Sequence, residues 1–177
     1  MKRVTTGAVA VAVMLLVPSY AAAQTANPMM DAVKAQFALI KGNLLKTAEK
    51  VPEAVWTFQP TPEVRTFAQI VGHIADANTS ICGAAAGDKP TPPNAEKTLT
   101  TKAQLSKALA DSIAYCDRMM GAMDDKKAME AIKFFGGMTP RGMVFSFNTA
   151  HDFEHYGNLV TYMRINKIVP PSSEGTK

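Results

Sequence analysis

Apolar residues recur every three or four positions in four segments of this chain, and each segment predicts an amphipathic helix. The first begins at Asn27–Pro28, a pair that suits a helix start, and runs to about residue 50. The second runs from Thr66 to about residue 86, and Gln69 completes a capping box with Thr66. Four such helices without a convincing strand pattern predict an all-α fold, a four-helix bundle.

The third predicted helix begins near Thr101, where Gln104 completes another capping box, and it ends before residue 124. The segment 87–100 before it is polar and rich in proline, so we expect a loop there. When extended, this segment is long enough to cross the length of a helix of about 30 Å. The second and third helices are therefore predicted to run parallel, joined by a long crossover connection.

The fourth predicted helix starts at Thr139–Pro140, interpreted as an N-cap followed by a first-turn proline. The segment before it is irregular, and residues 128–135 fit either a short helix or an extended piece. Residues expected to face the bundle interior lie along one stripe of the fourth helix: Met143, Val144, Phe147, His151, His155, Leu159 and Tyr162.

The amino terminus predicts a secretory signal peptide over residues 1–23. Lys2 and Arg3 give it a basic start, an apolar run follows, and cleavage is expected after Ala23. The apolar run is shorter than the roughly 20 residues of a membrane span, so no membrane anchor is expected after processing. The sequence thus predicts a periplasmic or secreted protein, with the bundle over 24–171 and a flexible tail over 172–177.

Composition narrows the function classes. The chain has 177 residues, of which 47% are hydrophobic, and this ordinary globular profile excludes a multidomain machine. The net charge is +4, and two of the basic residues lie in the predicted signal peptide. The remaining excess is small and scattered, so no nucleic-acid partner is expected. Cys82 and Cys116 lie on predicted helices, where a disulfide and a pair of buried free thiols both remain open.

The chain has only 3 histidines, and two of them share one helix face. His151 and His155 are four residues apart, which places their Cβ atoms about 5 to 6 Å from each other. This spacing suits two ligands of one metal ion, and a divalent ion is one way to satisfy imidazoles that point into a bundle. His73 lies on the second helix beside apolar residues, where it could face the pair. The alternative, three hydrogen-bonded core or surface histidines, remains open.

Three imidazole ligands would leave one coordination position of the ion open to water or substrate. Asp76 and Asn148 lie near the histidines in sequence and are candidates to hold them in place. Asp152 and Glu154 are near as well, but we expect both to face solvent. Asn148 and Tyr162 are candidates to orient a molecule in the open position.

Several segments resemble the DinB-like family of four-helix proteins. They are Val51–Glu53 with Trp56–Pro60, the stretch FAQIVGHIAD at 67–76, the stretch HDFEHYGNLVTYMR at 151–164, and Pro170–Pro171. The resemblance covers nearly the whole chain after the predicted signal peptide. It departs from the family at Tyr156, where many relatives carry histidine, and at Asn158, where glutamine is common.

The resemblance implies a four-helix bundle with a long crossover and a centre for one divalent cation, Zn, Ni, Fe or Mn, at His73, His151 and His155. Relatives with assigned activities transfer low-molecular-weight thiols or isomerise thiol adducts. A metal-dependent hydrolase, a thiol transferase and a non-catalytic module that binds metal or a small ligand therefore all stay open. The substrate and the oligomeric state, including a homodimer, are not fixed by the sequence.

Overall fold

The computed structural model describes residues 26–175, in which four long helices surround one hydrophobic core. The helices are α1 (Pro28–Lys50), α2 (Phe67–Ala86), α3 (Ala95–Thr98), α4 (Lys102–Gly121), α5 (Asp125–Ala128) and α6 (Arg141–Ile165), with strands β1 (Ala131–Phe134) and β2 (Gly137–Pro140) between α5 and α6. Single 3-10 turns lie at Glu53–Val55 and Pro171–Ser173. Helices α1, α2, α4 and α6 are the four predicted ones, so the all-α bundle is confirmed.

The predicted capping boxes form at the starts of α2 and α4. Thr66 Oγ1 accepts a hydrogen bond from Gln69 N at 3.1 Å, and Gln69 Oε1 accepts one from Thr66 N at 2.8 Å. Thr101 and Gln104 make the same pair of contacts at the start of α4. These reciprocal bonds satisfy backbone donors that a helix start otherwise leaves free, so two short sequence signals fix where both helices begin.

Helix α4 runs parallel to α2, as predicted, because the crossover returns the chain to the first half of α2. Just before α4 begins, the backbone of Glu96 in α3 approaches Gly72 so closely that a Cβ on Gly72 would lie 2.7 Å from Glu96 Cα. Near the ends of the two helices, a disulfide joins Cys82 to Cys116, with a Cα–Cα distance of 5.4 Å. Of the two possibilities for the cysteines, the structure therefore has the disulfide.

The crossover contains a helical turn, α3, where the sequence predicted only a polar loop. The Asp76 carboxylate, on α2, accepts hydrogen bonds from Ala95 N at 2.7 Å and from Glu96 N at 3.0 Å. A carboxylate is favourable at the start of a helix, where backbone N–H groups are unpaired. The cap of α3 comes from a distant helix, and no local sequence pattern signals it.

A β-hairpin precedes α6, and its first strand lies within residues 128–135, where a short helix and an extended piece were both left open. Strands β1 and β2 pair antiparallel, and Phe135 and Gly136 form the two-residue turn with φ angles of 43° and 83°. The strands are only four residues long, too short for a clear alternation of polar and apolar positions. Pro140 ends β2 and occupies the N-cap of α6. The predicted N-cap at Thr139 was therefore one residue early.

Helix α6 buries more than the single predicted stripe. Two members of that stripe, Met143 and Phe147, are 59% and 40% exposed. Several buried residues lie outside the stripe: Phe145, Thr149, Asp152, Tyr156 and Met163. The reason is that α6 packs against both α1 and α2, so its buried surface is wide and its helical periodicity is weak.

The predicted signal peptide, residues 1–23, lies outside the described residues. At the other end, the start of the segment predicted as a flexible tail is held to α6: Ser172 N donates to the Tyr156 hydroxyl, and Arg164 donates to Ser173 Oγ, both at 3.0 Å. Within residues 26–175, every helix is too short or too polar to cross a bilayer.

Candidate metal centre

The three histidines meet between α2 and α6. His151 Nε2 lies 3.2 Å from His73 Nε2 and 3.0 Å from His155 Nε2. One ligand atom from each ring lies within 4.8 Å of the other two. His155 is buried, and His73 and His151 are partly buried. The structure therefore brings together all three residues predicted to bind metal.

The arrangement fits a divalent cation. Nitrogens bound to one tetrahedral Zn²⁺ at 2.0–2.1 Å are about 3.3 Å apart, close to both observed Nε2 distances. His151 Nε2 faces the other two rings, whereas its Nδ1 is buried and has no hydrogen-bond partner among the described residues. Three imidazole nitrogens also form a donor set that suits Zn, Ni and Fe.

Burial favours the neutral form of two imidazoles, those of His151 and His155. Loss of hydration, followed by the proximity of His73, lowers the pKa of His151. Loss of hydration, with His151 and His73 as further causes, lowers the pKa of His155 to about 4. A metal ligand must be deprotonated at the nitrogen that binds. The site therefore holds two of its rings in the form that binds a cation at neutral pH.

Glu96 and Arg65 support His73 from outside the cluster. Glu96 Oε2 lies 3.0 Å from His73 Nδ1, and Arg65 Nε donates to Glu96 Oε1 at 2.8 Å. Burial acts to raise the pKa of Glu96, but its bonds to Arg65 and His73 outweigh that effect and hold the pKa below its usual value. An ionised Glu96 can accept the Nδ1 proton, which leaves Nε2 free to bind the cation.

The residues predicted to hold the histidines take different places. Asp76 supports the histidines indirectly: it caps α3 and so positions Glu96, which contacts His73. Asn148 is buried and its side-chain amide contacts the amide of Asn78, away from the predicted role of orienting a ligand. Glu154 is exposed, as predicted.

Asp152 was predicted to face solvent, and this was wrong. Its side chain is fully buried on α6, and burial raises the pKa of its carboxyl well above the usual value. When the Asn78 amide is oriented with its nitrogen toward Asp152, Asn78 Nδ2 donates to Asp152 Oδ1 at 3.1 Å and to Asp152 Oδ2 at 3.2 Å. The broad contact of α6 with α1 and α2 buries this position together with its polar partner.

A cleft of about 650 Å³ opens beside His155. Arg65, Glu96, Asn158 and Tyr162 line it together with His155. The Tyr162 hydroxyl donates to the Arg65 carbonyl oxygen at 2.8 Å, and burial raises the pKa of Tyr162. Tyr162 therefore fixes the backbone that carries Arg65. A small molecule in this cleft would approach the histidine cluster past the polar side chains of Arg65, Glu96 and Asn158.

Comparison with known proteins identifies the family of this chain. Residues 36–159 match the DinB superfamily. The chain belongs to the DinB superfamily. All three clustered histidines of this DinB protein, His73, His151 and His155, lie within the matched residues 36–159. No curated protein matches the sequence.

Solved structures share the fold at low identity. A DinB-like protein from Bacillus cereus is 14% identical and has a TM-score of 0.69, with 80% of this chain and 95% of that one covered. A conserved protein from Enterococcus faecalis is 15% identical, with a TM-score of 0.64 and coverage of 77% and 95%. A mycothiol-dependent maleylpyruvate isomerase is 16% identical, with a TM-score of 0.60, and the match covers 73% of this chain and 60% of that one. These identities establish likeness of fold alone.

Sequence reasoning did not find Glu96 and Arg65, the two charged residues nearest the histidines of this DinB protein. Glu96 lies in the crossover, 23 positions from His73, and it reaches the ring only because α3 packs on Gly72. Arg65 lies in the connection before α2; its Nε donates to Glu96, and its Nη2 lies 3.4 Å from His73 Nδ1. Neither residue lies three or four positions from a histidine on the same helix, so a helical pattern in the sequence does not reveal it.

We expect Glu96→Gln to lower the affinity of the protein for Zn²⁺ by about 10- to 100-fold, because an outer carboxylate orients a ligating imidazole and raises its basicity. Competition with a chromophoric chelator measures the change. Gly72→Ala should act in the same direction, because its Cβ would displace the Glu96 backbone. Glu63→Gln, which also lines the cleft, is the matched control. Equal losses in Glu96→Gln and Glu63→Gln would contradict the assignment.

We expect the metal-free protein to lose stability as the pH falls from about 6.5 to about 4. The pKa of His155 is about 4 in the folded protein against an ordinary value of 6.5, so in this window the unfolded chain binds more protons. Thermal unfolding in the presence of a chelator at constant ionic strength measures the effect. His155→Gln cannot titrate and should show a flatter dependence on pH; the same slope in both proteins would contradict the expectation.

Proposed function

We propose that this DinB protein is exported and that His73, His151 and His155 bind one divalent cation, which presents an open coordination position to a small molecule. The observation that carries the proposal is the convergence of the three Nε2 atoms, at distances close to the edges of a coordination tetrahedron. Zn, Ni, Fe and Mn are the candidate cations.

A divalent cation in such a site lowers the pKa of a bound water or polarises a substrate oxygen or sulfur. The chain's own residues prepare the position. Glu96 holds the Nδ1 side of His73, and Arg65 places a positive charge at the wall of the cleft. Asn158 lies 3.4 Å from His155 Nδ1, where its amide oxygen, if turned toward the ring, would accept the Nδ1 proton. This arrangement supports a metal-dependent hydrolase or a thiol transferase.

The thiol transferase is supported by likeness of fold to the mycothiol-dependent maleylpyruvate isomerase. Export opposes it, because an oxidising compartment does not keep low-molecular-weight thiols reduced. The hydrolase needs only water as co-substrate, which is present in every compartment. We therefore place hydrolysis ahead of thiol transfer.

A non-catalytic binding module is the second candidate, and the state of the nearby carboxyl groups favours it. Within residues 26–175, Glu96 is engaged by both Arg65 and His73, and Asp152 is buried behind the site. Neither of these two carboxyl groups is free to act as a general base on a molecule in the cleft, where Glu63 is the exposed carboxyl of the wall. Catalysis would then rely on the cation and its bound water.

Export rests on two supports. One is the predicted signal peptide, and the other is the Cys82–Cys116 disulfide, a bond that persists in oxidising compartments and is rare in the cytosol. We propose the periplasm or the medium as the site of action.

The test of this proposal uses protein purified without a polyhistidine tag. Elemental analysis should find about one equivalent of a divalent metal per chain, and His155→Ala should lose it while Thr161→Ala, at the cleft wall, should keep it. The loaded protein is then assayed with ester, amide and phosphoester substrates and with thiol transfer to an electrophile. Turnover that disappears with a chelator supports the enzyme, and turnover in neither screen supports the binding module. Absence of stoichiometric metal in the wild type would overturn both.

A further inference from the structure

An aromatic cluster adjoins the histidines on the side away from the cleft. It consists of Phe134 and Phe135 from the hairpin and Phe147 from α6; Phe135 and Phe147 are exposed, and Phe134 is partly buried against the core. The ring centroids of Phe134 and Phe135 are 4.3 Å apart, and each lies 5.5 Å from that of Phe147. The three rings therefore form one contiguous apolar surface.

The aromatic cluster continues directly into the candidate metal centre. Phe147 precedes His151 by one helical turn, and their ring centroids are 6.4 Å apart at an interplanar angle of 31°. His151 Nε2 is in turn one of the three converging nitrogens. A molecule bound at the open position and extending toward the start of α6 would meet Phe147 and then Phe135.

Phe135 contributes little to the folded core, because 81% of its surface is exposed. It also adopts a φ of 43°, in the left-handed region that a bulky residue rarely occupies. Positive φ at both Phe135 and Gly136 is the pattern of a type I′ hairpin turn, whose first central position favours Asn, Asp or Gly. An aromatic side chain at this position opposes local stability, and such a conflict is typical of a functional residue.

We propose that the aromatic cluster binds an aromatic or other apolar group of the molecule that coordinates at the three-histidine centre. The inference rests on the proposed metal site and specifies the class of its ligand: a molecule with a metal-binding head and an apolar tail. We assign the apolar surface to the tail of the same ligand because Phe147, where this surface begins, lies one helical turn from the proposed metal ligand His151. Stacking and burial of apolar area supply the affinity.

The experiment compares two hydroxamates with the same metal-binding head on the zinc-loaded protein by isothermal titration calorimetry. Acetohydroxamate carries a methyl group, and 3-phenylpropanohydroxamate carries a phenyl ring on a two-carbon spacer. We expect the phenyl compound to bind the wild type at least about tenfold more tightly, as an aromatic contact on a preformed surface allows. Phe135→Asn should lower this ratio by about threefold or more and leave acetohydroxamate affinity unchanged.

Two further variants separate a binding role from a structural one. Phe153→Asn removes another exposed phenylalanine of α6, 43% exposed and outside the cluster, and should leave the ratio unchanged. Phe147→Leu keeps an apolar side chain but removes the ring next to His151, and should lower the ratio. In urea unfolding, Phe135→Asn should be at least as stable as the wild type, because asparagine suits the turn.

Each outcome supports or overturns the inference. Equal ratios in the wild type and in both cluster variants would overturn it while leaving the metal site intact. Binding of neither hydroxamate to the wild type would overturn the metal proposal and this inference with it. A wild type that sediments as a dimer, with Phe135→Asn a monomer, would assign the aromatic cluster to contact between copies of the chain and would also overturn it.

Discussion

Replacing His151 with alanine is expected to lower Zn²⁺ affinity by about a hundredfold or more. His151 is central to the cluster, because its Nε2 is the atom that both short nitrogen distances share. Structural zinc sites with four ligands bind with about 10 to 16 kcal/mol, so one ligand accounts for about 3 kcal/mol, or two orders of magnitude. Competition with a chromophoric chelator at neutral pH measures the loss.

The control for this variant is Thr161→Ala, which alters the cleft wall and leaves the histidines in place. His151→Ala must also be shown to fold, because its ring is partly buried between α2 and α6; circular dichroism of both variants serves this purpose. Unchanged zinc affinity in a folded His151→Ala protein would show that the cation, if bound, is held elsewhere.

Replacing Cys82 and Cys116 together with alanine is expected to lower the free energy of unfolding by about 3 to 4 kcal/mol. The two residues are 34 positions apart, and a crosslink that closes a loop of this length restricts the unfolded chain by about that amount. Both side chains are fully buried, and the bond joins α2 to α4 near the carboxyl ends of the two helices. Urea unfolding measures the loss.

The matched control is the wild type unfolded with and without a reductant, because reduction removes the bond and keeps both sulfur atoms. The double variant and the reduced wild type should be destabilised by similar amounts. A loss below about 1 kcal/mol in both would contradict a stabilising disulfide.

The sequence predicted the elements that depend on local patterns. Helix positions follow from apolar spacing, and the capping boxes at Thr66 and Thr101 set two helix starts to within a residue. The pairing of two histidines on one face was predictable for the same reason: the spacing of His151 and His155 is a local property of one helix. With a single further histidine in the chain, His73 was the one imidazole left to complete the site.

The features that were not predicted depend on contacts between distant segments. Glu96 reaches His73 because Asp76 caps α3 and Gly72 lets the two backbones approach. Asp152 is buried because α6 packs on two helices, a fact that its polar neighbours in sequence do not signal. The hairpin is held by pairing of two four-residue strands, too short to give a period. In each case the structure depends on a contact between distant segments, which local sequence preferences do not determine.

A crystal structure of the protein grown with Zn²⁺, with anomalous differences collected at the zinc absorption edge, tests directly whether the three histidines bind a cation. We expect one strong anomalous peak per chain, about 2.0–2.1 Å from Nε2 of His73, His151 and His155, with a water or other small ligand completing the coordination. A fully loaded crystal without a peak at this position, or with zinc held by other residues, would contradict it.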